Sequence, residues 1–457
     1  MFSTRAELLE KNPPREGERV ISTLKPYPAY KDSGVPWLGK VPEHWEVRRL
    51  ASCLRSLESG SREQIGMDAE NGIPNLGGEH IGRDGQLLLR NMRYISRRYF
   101  QSLRKGLVKE NDVLLVKDGA TIGKVAIVRV MPYPECTVNE HVFILRSAKD
   151  CLSGFIYHSM SSQGLQELIW QLVTGSAQPG LNSTFIKGVH LSLPPLPEQT
   201  AIVRFLDYMD RRIRRFIRAK QKLIKLLEEY RQALIHQAVT GKIDVRTGQP
   251  YSAYKDSGVP WLGKVPEHWE VRRLKRIARL NPSKSEVPLA LRDGQAVFLP
   301  MERVGADGRY DASELWPISE LWNGFTYFRR GDVVVAKITP CFENGKGACL
   351  EDLPTPIGFG STEFHVIRPS KAIASAYLYR ITTLSEFRRL GTNEMTGAAG
   401  QQRVPVEFIA NFPIPIPPLP EQTAIVEYLD AQTAKLDAAM AAARREIELL
   451  REYRERL

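Results

Sequence analysis

One 22-residue sequence occurs twice in this chain without a single change. The block AYKDSGVPWLGKVPEHWEVRRL runs from Ala29 to Leu50 and returns from Ala253 to Leu274. A second block, PPLPEQTAIV, runs from Pro194 to Val203 and returns from Pro417 to Val426. The halves are therefore colinear over a distance far beyond the 20 to 50 residues of solenoid repeats. This duplication predicts two related domains, not a repeat array.

Between the shared blocks the two halves agree only in outline. NDVLLVKDGAT, which begins at Asn111, corresponds to GDVVVAKITP, which begins at Gly331. VTGSAQPGLNSTFI at Val173 corresponds to EMTGAAGQQRVPVEFI at Glu394. The aligned apolar runs predict the same buried strands and helix in both copies. Shared flanks suggest two copies of one partner and different interiors suggest two different ligands, although a recent duplication would also explain the identical blocks.

The size and charge of the chain favour two soluble domains with a polyanionic partner. At 457 residues it exceeds the length at which single cores stop growing. Its 64 basic and 52 acidic residues give a net charge of +12 and a pI near 9.4, which favours nucleic acid only weakly. No apolar signal segment and no run of about 18 apolar residues is present. We therefore expect a cytoplasmic protein with no membrane partner.

The cysteines indicate neither a disulfide framework nor a zinc site. They form no C-x-x-C pair and no histidines stand at ligand spacing, so we expect buried free thiols and no bound metal. The five are Cys53, Cys136, Cys151, Cys341 and Cys349.

A long heptad pattern follows each PPLPEQTAIV block and predicts about 40 helical residues from Glu198 to about Val239. Its apolar positions are Leu206, Met209, Ile213, Phe216, Leu223, Leu227, Tyr230 and Leu234. The second stripe contains Ile425, Leu429, Leu436, Met440, Ala443, Ile447 and Leu450. The two helices can pack in parallel or antiparallel, and an antiparallel pair with two-fold symmetry places the domains at opposite ends. An oligomerisation coiled coil is the alternative.

Charge differs between the two helices. RRIRRFIRAKQK, from Arg211 to Lys222, is strongly basic, whereas the aligned AKLDAAMAAARR, from Ala434 to Arg445, is nearly neutral. A basic run of this kind is a solvated face, a phosphate contact or a match to the acidic surface of a partner.

These features together resemble a known family. The YKDSGVPWLGKVPEHWEVRRL and PPLPEQTAIV blocks, the segment EYRQALIHQAVTGKIDV from Glu229 to Val245 and the duplication resemble the specificity subunit of type I restriction-modification systems. The resemblance covers nearly the whole chain beyond about residue 26. It implies an α+β fold in which two pseudo-symmetric mixed α/β target recognition domains are joined by two long antiparallel coiled-coil spacer helices.

The resemblance also implies domain boundaries. We expect an extension over 1–26, target recognition domains over 27–196 and 246–419, and spacer helices over 197–245 and 420–457. The second copy ends at Glu452-Tyr453-Arg454-Glu455-Arg456-Leu457 without the QALIHQAVTGKIDV tail of the first, so we expect a shortened second helix.

Partners and cofactors follow from the same resemblance. Such a subunit binds double-stranded DNA and two adenine methyltransferase subunits, and restriction subunits that translocate DNA join to make the nuclease. S-adenosylmethionine, ATP and Mg are then expected on the partner subunits, with no cofactor bound by this chain.

Two polar loops in each half are the candidate DNA-reading segments, because base edges are read by Arg, Lys, Asn, Gln and Thr side chains. One loop precedes the long helix and the other follows the strand VLLV or its copy. In the first half the candidates are Lys117, Thr121, Lys124, Gln178 and Asn182. In the second half they are Lys337, Thr339, Lys346, Gln401, Gln402 and Arg403. Because the two sets differ, we expect an asymmetric bipartite target.

The sequence gives no sign of a catalytic site. An Asn/Asp-Pro-Pro-aromatic methyltransferase motif is broken at Asn281-Pro282-Ser283, and no nucleotide P-loop is present. A nuclease needs clustered carboxylates and a lysine for metal chemistry; the spacing of Glu343 and Lys346 in ENGK is only loosely suggestive of this, and no acidic strand supports it. We therefore expect a recognition subunit and not an enzyme. An enzyme with an unrecognised site and a coiled-coil adaptor that does not bind DNA remain the alternatives.

Overall fold

A computed structural model describes residues 25–61, 72–175, 179–398 and 400–457. Two compact units are present: residues up to Ile217 together with Glu448–Leu457, and Arg218–Ile447. The predicted extension over 1–26 lies almost entirely outside the described residues. No helix in the described ranges has the length and apolar character needed to cross a membrane.

The target domain of the first unit contains thirteen short strands among its described residues and several short helices. The strands are β1 Tyr30–Asp32, β2 Lys40–Pro42, β3 Glu46–Arg49, β4 Leu54–Ser59, β5 Gly72–Leu76, β6 Arg93–Ser96, β7 Val113–Val116, β8 Val125–Ile127, β9 Thr137–Val138, β10 Val142–Ser147, β11 Val173–Thr174, β12 Gly180–Leu181 and β13 His190–Leu193. The helices are α1 Leu50–Cys53, α2 Arg97–Ser102, α3 Ser153–Ser161, α4 Gln163–Gln171 and α5 Phe185–Gly188, with a 3-10 turn at Gly78–His80. The long helix α6, Leu196–Val239, begins in this unit and continues into the residues of the second.

The second unit repeats most of this order, with twelve strands among its described residues instead of thirteen. Its strands are β14 Tyr254–Asp256, β15 Lys264–Pro266, β16 Glu270–Arg273, β17 Ala278–Leu280, β18 Gln295–Leu299, β19 Leu315–Pro317, β20 Thr326–Arg329, β21 Val333–Ala336, β22 Gly347–Cys349, β23 Ile357–Gly360, β24 Phe364–Pro369 and β25 Pro413–Ile416. Its helices are α7 Ile318–Leu321, α8 Ser375–Thr382, α9 Ser385–Asn393 and α10 Val406–Asn411, with 3-10 turns at Leu274–Arg276, Lys284–Glu286, Leu289–Leu291 and Met301–Arg303. The long helix α11, Leu419–Arg456, begins in this unit and ends among the residues of the first.

The sheets confirm that the two halves share one fold. An antiparallel sheet of order β4-β10-β7-β8 in the first unit corresponds to β17-β24-β21-β22 in the second. A second, mixed sheet contains β6-β5-β9 in one unit and β19-β18-β23-β20 in the other. Within these, β5 pairs parallel with β9 and β18 pairs parallel with β23.

The central strands are buried on both faces, as their unbroken apolar sequences predict. In β7, Val113 and Leu115 join one core cluster while Leu114 and Val116 join another. Alternate side chains of a strand point to opposite faces, so an apolar run without alternation is stable only between two cores. The copy VVVA in β21 is fully buried in the same way.

A buried arginine braces each central sheet. In the first unit Arg146 donates from Nε and Nη2 to the two carboxylate oxygens of Asp112, at 2.8 and 3.1 Å, and from Nη1 to Glu58. We call this group the arginine triad. Its copy consists of Arg368, Asp332 and Glu286, with Arg368 bonded to Asp332 at 2.7 and 2.8 Å. Buried charges of this kind are tolerated only when they are paired and hydrogen-bonded.

The identical sequence blocks meet at the start of each long helix. Glu198, in the first turn of α6, accepts hydrogen bonds from Tyr27, from His44 at 2.9 Å and from Trp45 Nε1 at 3.1 Å. We call this group the glutamate clasp. Its copy consists of Glu421, Tyr251, His268 and Trp269. A carboxylate is favoured at a helix N-terminus, and the clasp uses it to fix the direction in which the helix leaves its domain.

The next residue ties the same helix to the target domain. The side-chain amide of Gln199 is fully buried, accepts from the Leu152 amide at 2.9 Å and donates to the carbonyls of Asp150 and Pro194 at 3.1 and 2.9 Å. Gln422 makes the same three bonds in the second unit, to Ala374, Ala372 and Pro417.

Both long helices exist as predicted, and within the second unit they lie antiparallel. Helix α6 has 44 residues and α11 has 38. Lys220 pairs with Glu446 at 2.7 Å, while Arg231, farther along α6, pairs with the earlier Asp437 at 3.8 Å. In the first unit, Arg454 near the end of α11 bonds Asp210 of α6 at 2.6 Å.

The predicted apolar stripe of α6 is buried only near its two ends. Met209, Ile213 and Leu234 are buried. Phe216, Leu223 and Tyr230 are instead exposed, at 46, 41 and 58%. The middle part of the predicted stripe is therefore largely exposed in the described chain. The stripe of α11 is better covered, because Ile425, Leu429, Met440, Ala443 and Ile447 are all buried.

Candidate DNA-recognition surface

The structure brings the two candidate loops of the first half together. The chain leaves β7 at Lys117, whose carbonyl accepts a hydrogen bond from the Leu181 amide at 2.6 Å. Asp118 and Gly180 then form an isolated antiparallel bridge. The loop after β7 and the loop before α5 therefore form one continuous edge, although they are about sixty residues apart in the sequence.

The candidate side chains of the first half differ in how they are held. Lys117 is partly buried, with Nζ 5.1 Å from the centroid of the Phe143 ring. Thr121 and Lys124 are partly exposed in the turn that leads into β8. Asn182 is exposed, and its side-chain oxygen accepts from the Thr184 amide at 3.0 Å, which leaves its amide nitrogen to face outward. Gln178 lies outside the described residues.

The second half builds the same edge from different residues. The Val404 amide donates to the Lys337 carbonyl at 2.8 Å, and Ile338 bridges Arg403. Arg403 therefore occupies the position of Gly180. In each domain we call this pair of loops, together with the residue just before β10 or β24, the reading edge.

Several candidates of the second half have internal partners. Thr339 Oγ1 accepts from the Gln402 amide at 3.0 Å, and the Thr339 amide donates to the Gln402 carbonyl at 2.9 Å. The Lys346 ammonium donates to the Met301 carbonyl at 3.0 Å. Gln401 and Arg403 are exposed. Contacts with bases stay a prediction for all these residues, and Thr339 also serves to join the two loops.

Sequence reasoning missed the charged residues that complete each reading edge. His141 and Glu363 stand at equivalent positions, because the Lys117 amide donates to the His141 carbonyl at 3.0 Å and the Lys337 amide donates to the Glu363 carbonyl at 2.8 Å. His141 Nδ1 contacts Asp118, whereas Glu363 pairs with Arg403. Their positions beside β10 and β24 were visible in the sequence, but their cross-strand neighbours were not.

The electrostatics of the second reading edge are set by one ion pair. Hydrogen bonding from Arg403, assisted by its charge, lowers the pKa of Glu363 from its usual value, against the opposing effect of partial burial. Glu363 therefore stays ionised at neutral pH. The edge of the first domain presents Asp118, Glu140 and His141 instead, and so offers a different arrangement of donors and acceptors.

The described residues contain no group of three or more His, Cys, Asp or Glu side chains arranged to hold a metal ion. The five cysteines are free thiols, of which Cys53, Cys136 and Cys151 are buried and Cys341 and Cys349 partly exposed. Burial raises the pKa of Cys136 to about 12, which keeps its thiol protonated.

Comparison with known proteins identifies the family. The family described as type I restriction modification DNA specificity domain matches twice, over residues 42–226 and 266–449. The specificity subunit of the type I restriction enzyme EcoAI from Escherichia coli is 36% identical over 209 residues, which cover 45% of this chain and 33% of that protein. The MjaVIII specificity subunit from Methanocaldococcus jannaschii is 22% identical over 396 residues, 85% of this chain and 86% of that protein. The chain thus spans only about a third of the length of the first relatives it matches.

Solved structures show the same fold. One is a chain from a study of complex assembly and conformational transition of the type I R-M system. Its alignment covers 91% of this chain and 96% of that chain, with a TM-score of 0.65 and 17% identity. The HsdS subunit from Thermoanaerobacter tengcongensis covers 91 and 95% with a TM-score of 0.50 and 17% identity. Since the two family matches span most of the sequence, this chain belongs to the specificity subunits of type I restriction-modification systems.

Proposed function

We propose that this chain is the sequence-specific DNA-binding subunit of a type I restriction-modification complex and reads an asymmetric bipartite target. Each target recognition domain reads one half-site, and the long helices set the gap between the half-sites. The observation that supports this most is that two copies of one backbone frame carry unlike exposed side chains at the same place. Val404 and Leu181 donate equivalent hydrogen bonds, yet their neighbours are Arg403 and Gly180.

The chemistry of the reading edges suits base recognition. Major-groove base edges present patterns of donors and acceptors that Arg, Lys, Asn, Gln and carboxylates distinguish. The first edge offers Asn182, Asp118 and His141, while the second offers Gln401, Arg403 and Glu363. Two different sets select two different half-sites, which is the basis for an asymmetric target.

Partner subunits are the second part of the proposal. Along α6 an exposed apolar stripe contains Phe216, Leu223, Leu226 and Tyr230, at 41 to 58% exposure. The four residues are spaced by seven, three and four positions, which is the spacing of a helix-packing seam. We propose that a methyltransferase subunit covers this stripe and that restriction subunits join the assembly. S-adenosylmethionine, ATP and Mg then enter with those subunits.

The first experiment determines the target. Methylated adenines are sequenced in a host that carries this chain and its methyltransferase subunit. We expect two unlike specified half-sites separated by a gap of unspecified base pairs. A perfect palindrome, or methylation without a defined sequence, contradicts the proposal. Binding of duplex DNA that does not weaken with salt favours the adaptor alternative, because phosphate contacts release counterions.

The second experiment tests the role of the helices as a spacer. Because Lys220 pairs with Glu446 across the antiparallel helices, seven residues are inserted after each of them, so that both heptad patterns are kept. Each insertion lengthens a helix by about 10 Å, which corresponds to about three base pairs. We expect an unchanged pair of half-sites with a gap about three base pairs longer.

A single insertion in α6 alone is the control for the spacer experiment. It shifts the register against α11 and should destabilise the protein without giving a new, defined gap. A folded double-insertion variant that keeps the original gap contradicts the spacer role.

A further inference from the structure

One arginine of the second reading edge is held in place by a carboxylate. Arg403 donates from Nε to Glu363 Oε2 at 2.9 Å and from Nη2 to Glu363 Oε1 at 2.7 Å. Its Nη1 donates to the Gln401 carbonyl at 3.2 Å. The side chain of Arg403 is nevertheless 45% exposed, against 25% for Glu363. This arginine is therefore oriented within the protein while it still faces outward.

The backbone beneath Arg403 is fixed as well. Its amide donates to the Thr396 carbonyl at 2.8 Å, and its carbonyl accepts from the Thr396 amide at 3.0 Å. The residues on either side, Gln402 and Val404, bond to the loop after β21 at Thr339 and Lys337. An arginine held at both its backbone and its guanidinium loses less conformational entropy on binding a ligand.

The remaining donors of Arg403 match one base. A guanidinium has five N–H donors, and the contacts within the described residues use three of them. Two remain, and paired arginine donors recognise the O6 and N7 acceptors of guanine in the major groove. We infer that Arg403 contacts a guanine of the half-site read by the second domain and that Glu363 is the residue that positions it. This inference rests on the proposed function.

The first domain has no equivalent arginine. Gly180 stands where Arg403 stands, and a glycine has no side chain to reach a base. At the place of Glu363 the first domain has His141, which is paired with Asp118. The first domain therefore cannot make this arginine contact at the corresponding position, and the two domains differ in one defined donor.

The test uses the full chain with its methyltransferase subunit in the host. We expect Arg403→Ala to lose the preference for guanine at one position of one half-site, while the other half-site stays fully specified. On synthetic duplexes the wild-type complex should lose about 5- to 150-fold in affinity when that guanine is replaced by another base. Replacement by 7-deazaguanine, which lacks the N7 acceptor, should weaken wild-type binding but leave Arg403→Ala unaffected.

Variants of Glu363 test the positioning role. Glu363→Ala should reduce the preference for guanine at the same position without changing the melting temperature, and Glu363→Gln, which keeps an acceptor oxygen, should restore part of it. Asp118→Ala is the matched control in the first domain and should leave the preference at that position intact.

The outcomes separate this inference from the proposed function. If the wild-type chain gives no defined bipartite target, the proposed function fails. If the wild-type target is defined but Arg403→Ala keeps every specified base, the assignment of Arg403 fails alone. If Arg403→Ala relaxes one guanine while Glu363→Ala does not, the positioning role of Glu363 is overturned.

Discussion

The two target recognition domains share a backbone frame but not the residues at its edge. Arg146 and Arg368 brace the two central sheets through the same three hydrogen bonds to carboxylates. At the reading edges, Gly180 corresponds to Arg403 and His141 corresponds to Glu363. The comparison shows that the buried contacts of the fold are shared by the two domains, while the side chains at the proposed reading edges differ.

The two cores also combine a shared backbone with different side chains. Cys53 and Cys151 lie in one core cluster of the first domain, where Ile277 and Ile373 lie in the second. The backbone around both pairs is the same, because the Cys53 carbonyl accepts from Ala148 at 2.9 Å and the Ile277 carbonyl accepts from Ser370 at 2.8 Å. Cores tolerate such changes when volume is redistributed among neighbours, whereas a buried charge has few substitutes.

The largest effect is expected from breaking the arginine triads. Arg368→Met leaves Asp332, which is 1% exposed, as an unpaired buried carboxylate. We expect a loss of about 3–5 kcal/mol in the free energy of unfolding, measured by denaturant titration or calorimetry. Arg146→Met should cost a similar amount in the first domain, because its contacts are the same.

Arg279→Ala is the control for the triad, since Arg279 reaches the same Glu286 from the surface at 3.3 Å. An exposed ion pair contributes about 0–1 kcal/mol, so this variant should be nearly as stable as the wild type. Strongly unequal losses in the free energy of unfolding for Arg146→Met and Arg368→Met would contradict the equivalence of the two arginine triads.

A smaller effect is expected from the glutamate clasp at low pH. Burial raises the pKa of Glu198, but hydrogen bonds from Tyr27, His44 and Trp45 outweigh it and lower the pKa below the usual value. A carboxylate of this kind stabilises the fold above its unfolded pKa of about 4.3, and the contribution is lost as the pH falls through the folded value. We expect the melting temperature of the first unit to fall with acidification, and to fall less steeply in Glu198→Gln.

The control is Glu46→Gln, at an exposed position in β3 of the same domain, which should keep the wild-type pH dependence. Calorimetry between about pH 6 and pH 3 measures both variants against the wild type. An unchanged slope in Glu198→Gln would show that the clasp does not contribute to acid stability.

The smallest effect on stability is expected at the reading edge of the first domain. Asp118 and His141 have 32 and 48% exposed side chains, so Asp118→Ala should change the free energy of unfolding by less than about 1 kcal/mol. The same variant should alter the base preference of the first half-site, measured by sequencing methylated adenines. A large loss of stability would show that this ion pair stabilises the fold, and would contradict the distinction between fold residues and reading-edge residues.

The identical sequence blocks have a structural role that the sequence did not reveal. Repetition suggested two copies of one partner, and some exposed positions of the blocks still allow that. Other positions, however, meet inside each unit: the partly buried Trp45 and Glu198 come from the two different blocks, and the buried Trp269 and Glu421 repeat the contact. These positions are identical because the same contact joins each domain to its long helix in both halves.

The heptad pattern of α6 predicted the helix correctly but not what covers it. Its bounds, Leu196–Val239, agree with the predicted Glu198 to about Val239. Leu234 is buried in the second unit, whereas Leu223, another member of the same heptad stripe, is 41% exposed. Periodicity reports that a face is apolar, and it cannot report whether the chain itself or another protein packs on that face.

The sequence by itself determined the duplication, the class of fold, the buried strands VLLV and VVVA, the long helices and the family. These follow from local patterns and from identical blocks, which are properties of neighbouring residues along the chain. Only the tertiary structure decided that Glu363 lies against Arg403, that Gly180 takes the place of Arg403 in the first domain and that Glu198 closes a clasp with Tyr27. The physical reason is that these contacts join residues up to about 170 positions apart, so tertiary packing and strand pairing, not sequence spacing, set which side chains meet.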